Sequence, residues 1–397
     1  MKVFRRVMLG AGILLLAVSI GYLAIRWSVR SNMTSTIREA ERCLRQRDNA
    51  RARETLKWLL WFEPTQHRAL LIQGISLNAD RRFLEAIQTF ELIPENSDSF
   101  AEGEFALASS LIHDEQLDRA ESVLRRHLQR FPGASAARED FVRLNIRLLR
   151  TREAIAALME YGKNGWEDFG ALPLLLELQV KTMTPHEIVH SLEGTDRKHP
   201  GQVLVSVALA RVYSLLGQTD QAQAAFEIAL QLKPNDAVTR VLAAEFFLNL
   251  GDVVSAQRLL EADSIQQMQD DRLWFLRCRL AEHSGQVSEA LGFLQDALRL
   301  RPNDESYVLM HSHLLRRLGQ VEESRTAAMR ATELAELRKR LLVLSQEFNR
   351  QQPDPDQCLE IADALEKWGQ IEQATAWRQV RRLIAPNSQP ESSETFK

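Results

Sequence analysis

The chain has 397 residues, long enough for two ordinary domains or one extended repeat array. Its formal net charge of -3, with 50 Lys and Arg against 53 Asp and Glu, excludes a global basic field and gives no reason to expect nucleic acid as a partner. Only 17 Gly and 12 Pro punctuate a sequence in which apolar and charged residues alternate in helical rhythm, so an all-α protein is expected. Three scattered cysteines, Cys43, Cys278 and Cys358, form no CxxC, which removes a thiol redox motif and a cysteine zinc site.

The first predicted element is a membrane segment within residues 1–32. Val7 to Ile25 is an uncharged run of 19 residues. At 1.5 Å per residue a helix of this length spans about 28 Å, close to a hydrocarbon core of about 30 Å. Tyr22 and Trp27 are placed for an interface. Ala17-Val18-Ser19 offers a signal-peptidase spacing, but the run continues through Tyr22-Leu23-Ala24-Ile25, which suits an uncleaved anchor better. The charges do not agree on orientation. Lys2, Arg5 and Arg6 favour a cytoplasmic amino terminus, whereas Arg26, Arg30, Arg38, Arg42 and Arg45 argue the reverse. A long following domain can be translocated regardless, and the expectation is a single-pass protein of a bacterial inner membrane with its large domain in the periplasm.

From residue 33 onward one helix-turn-helix unit recurs every 34 residues. Its clearest copy contains Ala210 and Tyr213 on a first helix, Gly217 at its end, Ala222, Phe226 and Ala229 on a second helix, and Pro234 as the stop. Steps of 34 from Ala222 reach Ala52, Ala86, Ala120, Ala154, Ile188, Ala256, Ala290 and Ser324. A small residue there lets two helices pack closely. Four residues on stand Leu56, Phe90, Leu124, Leu158, Leu192, Leu260, Leu294 and Ala328, on the same face one turn later. Pro64, Pro132, Pro200 and Pro302 share the phase of Pro234, and Gly251, Gly285 and Gly319 that of Gly217. The matching first-helix position holds Ala40, Gly74, Ala108, Val142, Leu176, Ala244, Cys278 and Ser312.

These residue types in one phase resemble the tetratricopeptide repeat. The resemblance covers 33–338 as nine units and implies a right-handed α-solenoid of helical hairpins preceded by one transmembrane helix. It is weakest over Ser135–Gln202, where the turn glycine is absent, Leu176 and Ile188 replace small residues, and Pro173 shortens a helix; irregular packing or a bend is expected there. The phase then slips by 16 residues. Leu334, Leu337, Leu341, Leu344 and Phe348 recur at spacings of three and four, extending the last helix to near Arg350 before Pro353 and Pro355. This stretch, 339–354, is read as a helical extension and break. A final unit, 355–388, is keyed by Ala362, Gly369, Ala374 and Pro386, and 389–397 is a polar tail expected to be disordered. The leucine stripe either packs on the terminal repeat or pairs with another chain, which would make an architectural oligomer.

One catalytic-looking motif is present, His186-Glu187-Ile188-Val189-His190. HExxH within a helix can hold zinc through its two imidazoles, with the glutamate as base. Here Ile188 and Leu192 occupy phased packing positions, Pro185 opens the helix, and no third-ligand pattern follows. A zinc metallopeptidase using His186 and His190 is therefore a minor alternative, and neither catalysis nor a cofactor is expected.

The resemblance instead implies a protein-binding scaffold, similar to bacterial single-pass tetratricopeptide proteins of envelope or secretion assembly. The first helices would line a concave groove. In register, its later positions are Arg211, Glu245, Arg272, Phe275, Arg279, His283, Met310, His313, Arg316 and Arg317. Their basic character suits an acidic or C-terminal peptide segment of another protein. The lysine and asparagine clamp of chaperone-tail binders is not found in register.

Overall fold

A computed structural model describes residues 19–162, 171–180, 185–266, 268–350 and 354–385. Every regular element among them is helical. Helix α1 covers 19–31. The hairpins follow as α2 (Met33–Arg45) with α3 (Asn49–Phe62), α4 (His67–Ala79) with α5 (Phe83–Phe90), and α6 (Phe100–His113) with α7 (Leu117–Arg130). Next come α8 (Ser135–Arg147), α9 (Thr151–Gly162), α10 (Ala171–Val180) and α11 (Pro185–Lys198). Helices α12 (Val203–Leu215) with α13 (Thr219–Leu232) and α14 (Ala237–Asn249) with α15 (Val253–Leu260) precede the short α16 (Asp263–Gln266). Last are α17 (Asp271–His283) with α18 (Val287–Leu300), α19 (Glu305–Arg317) with α20 (Val321–Arg350), and α21 (Pro355–Lys367) with α22 (Ile371–Ile384). The chain divides into two compact units, one ending at Leu144 and the other beginning at Asn145. Each is an all-α stack of helical hairpins.

The 34-residue phase has a direct physical basis. Ala52, Ala86, Ala120, Ala154, Ala222, Ala256 and Ala290 are all wholly buried between the helices of their hairpins. Where the ninth unit has serine at both small positions, the hydroxyls satisfy each other's backbone. Ser312 Oγ donates to the Ser324 carbonyl at 2.9 Å, and Ser324 Oγ returns a bond to the Ser312 carbonyl at 2.8 Å. Gly74 is small because the phased ring of Phe90 lies where a β-carbon would be, with Phe90 Cε1 2.3 Å from that point. After a Pro-Asn-Asp sequence the aspartate caps the next first helix: Asp236 accepts from the Thr239 amide and Asp304 from those of Ser306 and Tyr307.

The turn between paired helices requires a left-handed residue, and the sequence supplies it in two ways. Gly217, Gly251, Gly285 and Gly319 have φ of 72, 84, 77 and 79°. The equivalent places earlier in the chain are Arg47, Arg81, Glu115 and Leu149, with φ of 60, 59, 69 and 55°. Their first-helix ends adopt the same backbone without the residue that favours it.

The weak stretch of the repeat has a specific role in the second unit. Helix α10 packs against α20 and α22 as well as α9. Leu172, Leu176 and Val180 enter one buried cluster with Leu341, Leu344, Ile361, Leu365 and Trp377. Leu176 is thus large at a nominally small position because it meets a core contributed by the end of the chain. The same cluster takes up the leucine stripe. Leu341 and Leu344 are fully buried in it, Leu337 and Phe348 pack at its edge, and Leu334 joins Val308 and Ala331. The expectation that this stripe could pair with another chain is corrected: its apolar face is covered within the unit, and an architectural oligomer loses that surface. The Gln373 amide also lies 3.4 Å from Met159 Sδ, across 214 residues of sequence.

Most of the expected membrane span, 7–18 of 7–25, lies outside the described residues, as does Pro386 and the tail. Among the described residues no helix is long and apolar enough to cross a membrane.

Candidate functional site

Four of the sequence-derived groove residues meet in one cavity of the second unit. About 300 Å³ in volume, it is lined by Arg211 of α12, Leu242 and Glu245 of α14, Arg272, Phe275 and Leu276 of α17, and Ser306 and Tyr307 of α19. The N-terminal turn of α9 closes it with Thr151, Arg152 and Glu153. Charged lining residues balance: Arg152, Arg211 and Arg272 face Glu153, Glu245 and Asp304.

The arginines are already engaged. Arg272 is held by its own helix cap, with Nε 3.1 Å and Nη2 2.8 Å from the two oxygens of Asp270. Burial opposes its charge, but the Asp270 hydrogen bonds and charge prevail and raise its pKa. Arg211 donates to the backbone carbonyl of Leu149, satisfying the left-handed turn between α8 and α9. Burial, countered by Glu245, lowers its pKa. Arg152 reaches from α9 to Asp271 at 2.8 Å, and the other oxygen of Asp271 accepts from the Tyr307 hydroxyl at 2.6 Å. Burial first, then that carboxylate, pushes the Tyr307 phenol up. At this end of the expected run of basic groove positions the arginines have acidic partners. Their charge is matched inside the chain, and an acidic segment would have to displace Asp270, Asp271 or Glu245.

The remaining groove residues lie further along the first helices. Arg279 and His283 of α17 and Arg317 of α19 line a second, open cavity of about 350 Å³ with Leu248, Gly251, Val253 and Glu282, the last of which the sequence did not indicate. Glu282 is its hub, 3.1 Å from Arg317 Nη1 and 3.4 Å from His313 Nδ1. Arg279 donates to Asn249 Oδ1 at 2.8 Å. Arg316 and His313 are exposed, while Met310 is half-buried against the core of α17 and α18. Arg152, Asp270, Asp271 and Tyr307 were not indicated by the sequence. Arg152 and Asp271 stand 119 residues apart, and neither sits at a position the repeat marks as groove-facing.

The HExxH motif opens α11. His186 and His190 are exposed, Val189 and Leu192 are buried, and His190 Nδ1 lies 3.5 Å from Glu193. Among the described residues no group of three His, Cys, Asp or Glu is arranged to hold a metal ion. The three cysteines are buried free thiols; burial pushes Cys278 up to about 12 and Cys358 to about 11.

Residues 215–280 match the tetratricopeptide repeat family, which places the Gly217 and Gly251 turns and helices α13 to α17 within a recognised repeat. No curated protein matches the chain. Among solved structures it is similar to PilW, a widely conserved type IV pilus biogenesis factor, at 16% identity, covering 55% of this chain and 94% of that one with a TM-score of 0.36. It is also similar to YrrB, a tetratricopeptide protein with an unusual peptide-binding site, at 16% identity, 50% and 93% coverage and a TM-score of 0.31. The Cut9–Hcn1 hetero-tetramer of the APC/C matches over 89% of this chain and 87% of that one, at 12% identity and a TM-score of 0.41. At these scores nothing about ligands carries over. Residues 215–280 carry the tetratricopeptide repeat, an architecture suited to protein–protein interaction.

Proposed function

We propose that the protein is a membrane-anchored scaffold that holds a partner polypeptide on the first-helix face of α14, α17 and α19. The supporting observation is the open cavity around Glu282. There an apolar floor of Leu248 and Val253 is bordered by Arg279, His283 and Arg317, with Arg316 and His313 exposed nearby. Apolar floor with a polar, mostly cationic rim is the surface chemistry that takes an extended or helical segment with acidic side chains or a terminal carboxylate. The cavity under Arg152 is a poorer candidate, because its three arginines face three acids, whereas the cavity around Glu282 sets Arg279 and Arg317 against that one acid.

The anchor is the run Val7–Ile25, and the scaffold domain lies on the periplasmic side of a bacterial inner membrane, where it serves assembly of an envelope or secretion complex. Crosslinking and affinity capture from membranes tests the groove. Changing Arg279, Arg316 and Arg317 together to glutamate should remove specific crosslinked partners; a captured set identical to wild type refutes the proposed face. A phosphatase fusion at the carboxyl terminus reports the side of the membrane.

A further inference from the structure

An exposed aromatic patch lies at the start of the first unit, remote in sequence from the groove. Trp58 and Trp61 of α3 are each 62% exposed, and Trp27 of α1 is 74% exposed. Tyr22 joins the two helices: its ring is 6.4 Å from that of Trp61 and 5.5 Å from Phe62, while Trp58 and Trp61 are 6.1 Å apart. Ile20, Leu23 and Ile25 are exposed beside them on α1. Exposed apolar side chains concentrated on two packed helices of a folded unit mark a place that something else covers.

Helix α1 is also fixed to the hairpin rather than tethered loosely. Arg26 Nη2 and Nε lie 3.2 and 3.3 Å from Glu63 Oε1, and Val29 packs on the core of Ala40, Leu56 and Leu59. The position of α1 therefore sets the position of α3.

We infer that α3 of the first hairpin docks on the lipid interface, with Trp58 and Trp61 inserted at headgroup level beside Tyr22 and Trp27. This rests on the anchor reading and extends it from a tether to a seated domain. The occupant is lipid because the patch is continuous with the uncharged run Val7–Ile25. On the anchor reading, 19 residues in a helix would use about 28 Å, nearly the whole hydrocarbon core, and the last of them would emerge into the headgroup layer. That layer is about 5–7 Å deep on each side, and the stretch from Tyr22 to Trp27 advances about 7.5 Å along a helix. Trp61 touches Tyr22 and shares its depth. Trp and Tyr are the side chains that reside there, with an apolar ring inward and a polar edge in the wet layer. Exposed Arg30 supplies a cation for anionic headgroups, and on α3 the exposed Glu54 and Lys57 pair with each other at 3.2 Å and leave no net charge.

The test uses the full chain reconstituted into vesicles of phosphatidylcholine and phosphatidylglycerol carrying bromine at defined acyl depths. Tryptophan quenching should be strongest for bromine nearest the headgroup. In Trp58→Phe/Trp61→Phe, vesicle flotation should be unchanged, while that quenching falls to roughly a third, the share left to Trp27. If the wild type floats with vesicles but the double variant is quenched equally, the docking inference fails and the anchor stands. If the wild type does not float, both fail. Quench-protected Trp58 and Trp61 emission that depends on protein concentration would assign the patch to a second copy and overturn the inference. Because both rings are largely exposed, the variant should keep the wild-type unfolding midpoint, and a midpoint that moves is remedied by repeating the readout with Trp58→Tyr/Trp61→Tyr.

Discussion

The two units build the same hairpin with different economies of contact. In the first, the helices pack on those one or two places away in sequence, and the turns at Arg47, Arg81 and Glu115 hold left-handed backbone with ordinary side chains. In the second, the later turns are glycine, and the stack also makes long-range contacts through α10 with α20 and α22 and through Arg152 with Asp271. A linear array gains stability unit by unit. One joined to itself across 119 or 214 residues has contacts that stand or fall together. The same repeat thus yields a locally stabilised region and a cooperatively stabilised one.

The largest expected effect comes from breaking the long-range seam. Trp377 is only 1% exposed and stacks edge-on against Phe348 at 5.1 Å, so Trp377→Ala should cost about 3–5 kcal/mol. Hydrogen exchange should then rise at residues 171–180, far away in sequence. A Leu124→Ala cavity in the first unit should speed exchange only in adjacent hairpins. Unchanged protection of α10 in Trp377→Ala would erase the contrast between the units.

The polar link is weaker. Asp271→Asn should lower stability by about 1–2 kcal/mol, since Arg152 loses its ion pair while remaining partly solvated. A double-mutant cycle with Arg152→Met should show coupling of a similar size, and additivity would remove Arg152 from the account.

The turns sharpen the comparison further. No neighbouring atom lies within 4 Å of a β-carbon built on Gly217, Gly251 or Gly285, so Gly→Ala there meets only the backbone cost, about 1 kcal/mol each. Arg47→Gly and Arg81→Gly should go the other way, adding up to about 1 kcal/mol by relieving left-handed φ. Chemical denaturation reads both series. Equal signs in the two units would show that the turns are not equivalent.

The smallest effect is a pH dependence in the histidine range, arising in the second unit. Burial lowers the pKa of His311. The unfolded chain therefore binds its proton more readily, so stability is present above the ordinary histidine range and is lost as pH falls through it. His311→Leu should flatten that part of the stability–pH curve.

Much of this was legible in the sequence because the repeat is carried by residues whose size or backbone preference is unusual. Ala at one phase, Gly at another and Pro at a third each follow from a local requirement. The left-handed turns of the early units were legible in position, 34-residue steps back from Gly217, but not in identity, since arginine and glutamate carry no turn signal. The seam through α10 was visible only as an irregularity: Leu176 and Pro173 disturbed the pattern without indicating a partner. Of the groove residues, Arg211, Glu245, Arg272 and Phe275 line one cavity, but apart from Glu245 the acids that face its arginines come from positions the repeat phase does not mark. Periodicity marks buried positions; it says nothing about which distant carboxylate arrives to neutralise a surface arginine.

Helix α10 has a consequence for how the chain acquires its structure. Its leucines are made about 160 residues before Leu341, the first of its partners in α20, so during synthesis they wait on the order of ten seconds without the core they belong to. Until α20 to α22 emerge, 171–180 is an apolar segment, Ala-Leu-Pro-Leu-Leu-Leu-Glu-Leu-Gln-Val, with its final burial unavailable. The first unit can form as it leaves the ribosome, each hairpin on the last. The second must delay completion until its final helices exist, and its slowest step is the closure of that long loop. Truncation before Leu341 should therefore leave a first unit that folds and a second that aggregates through α10.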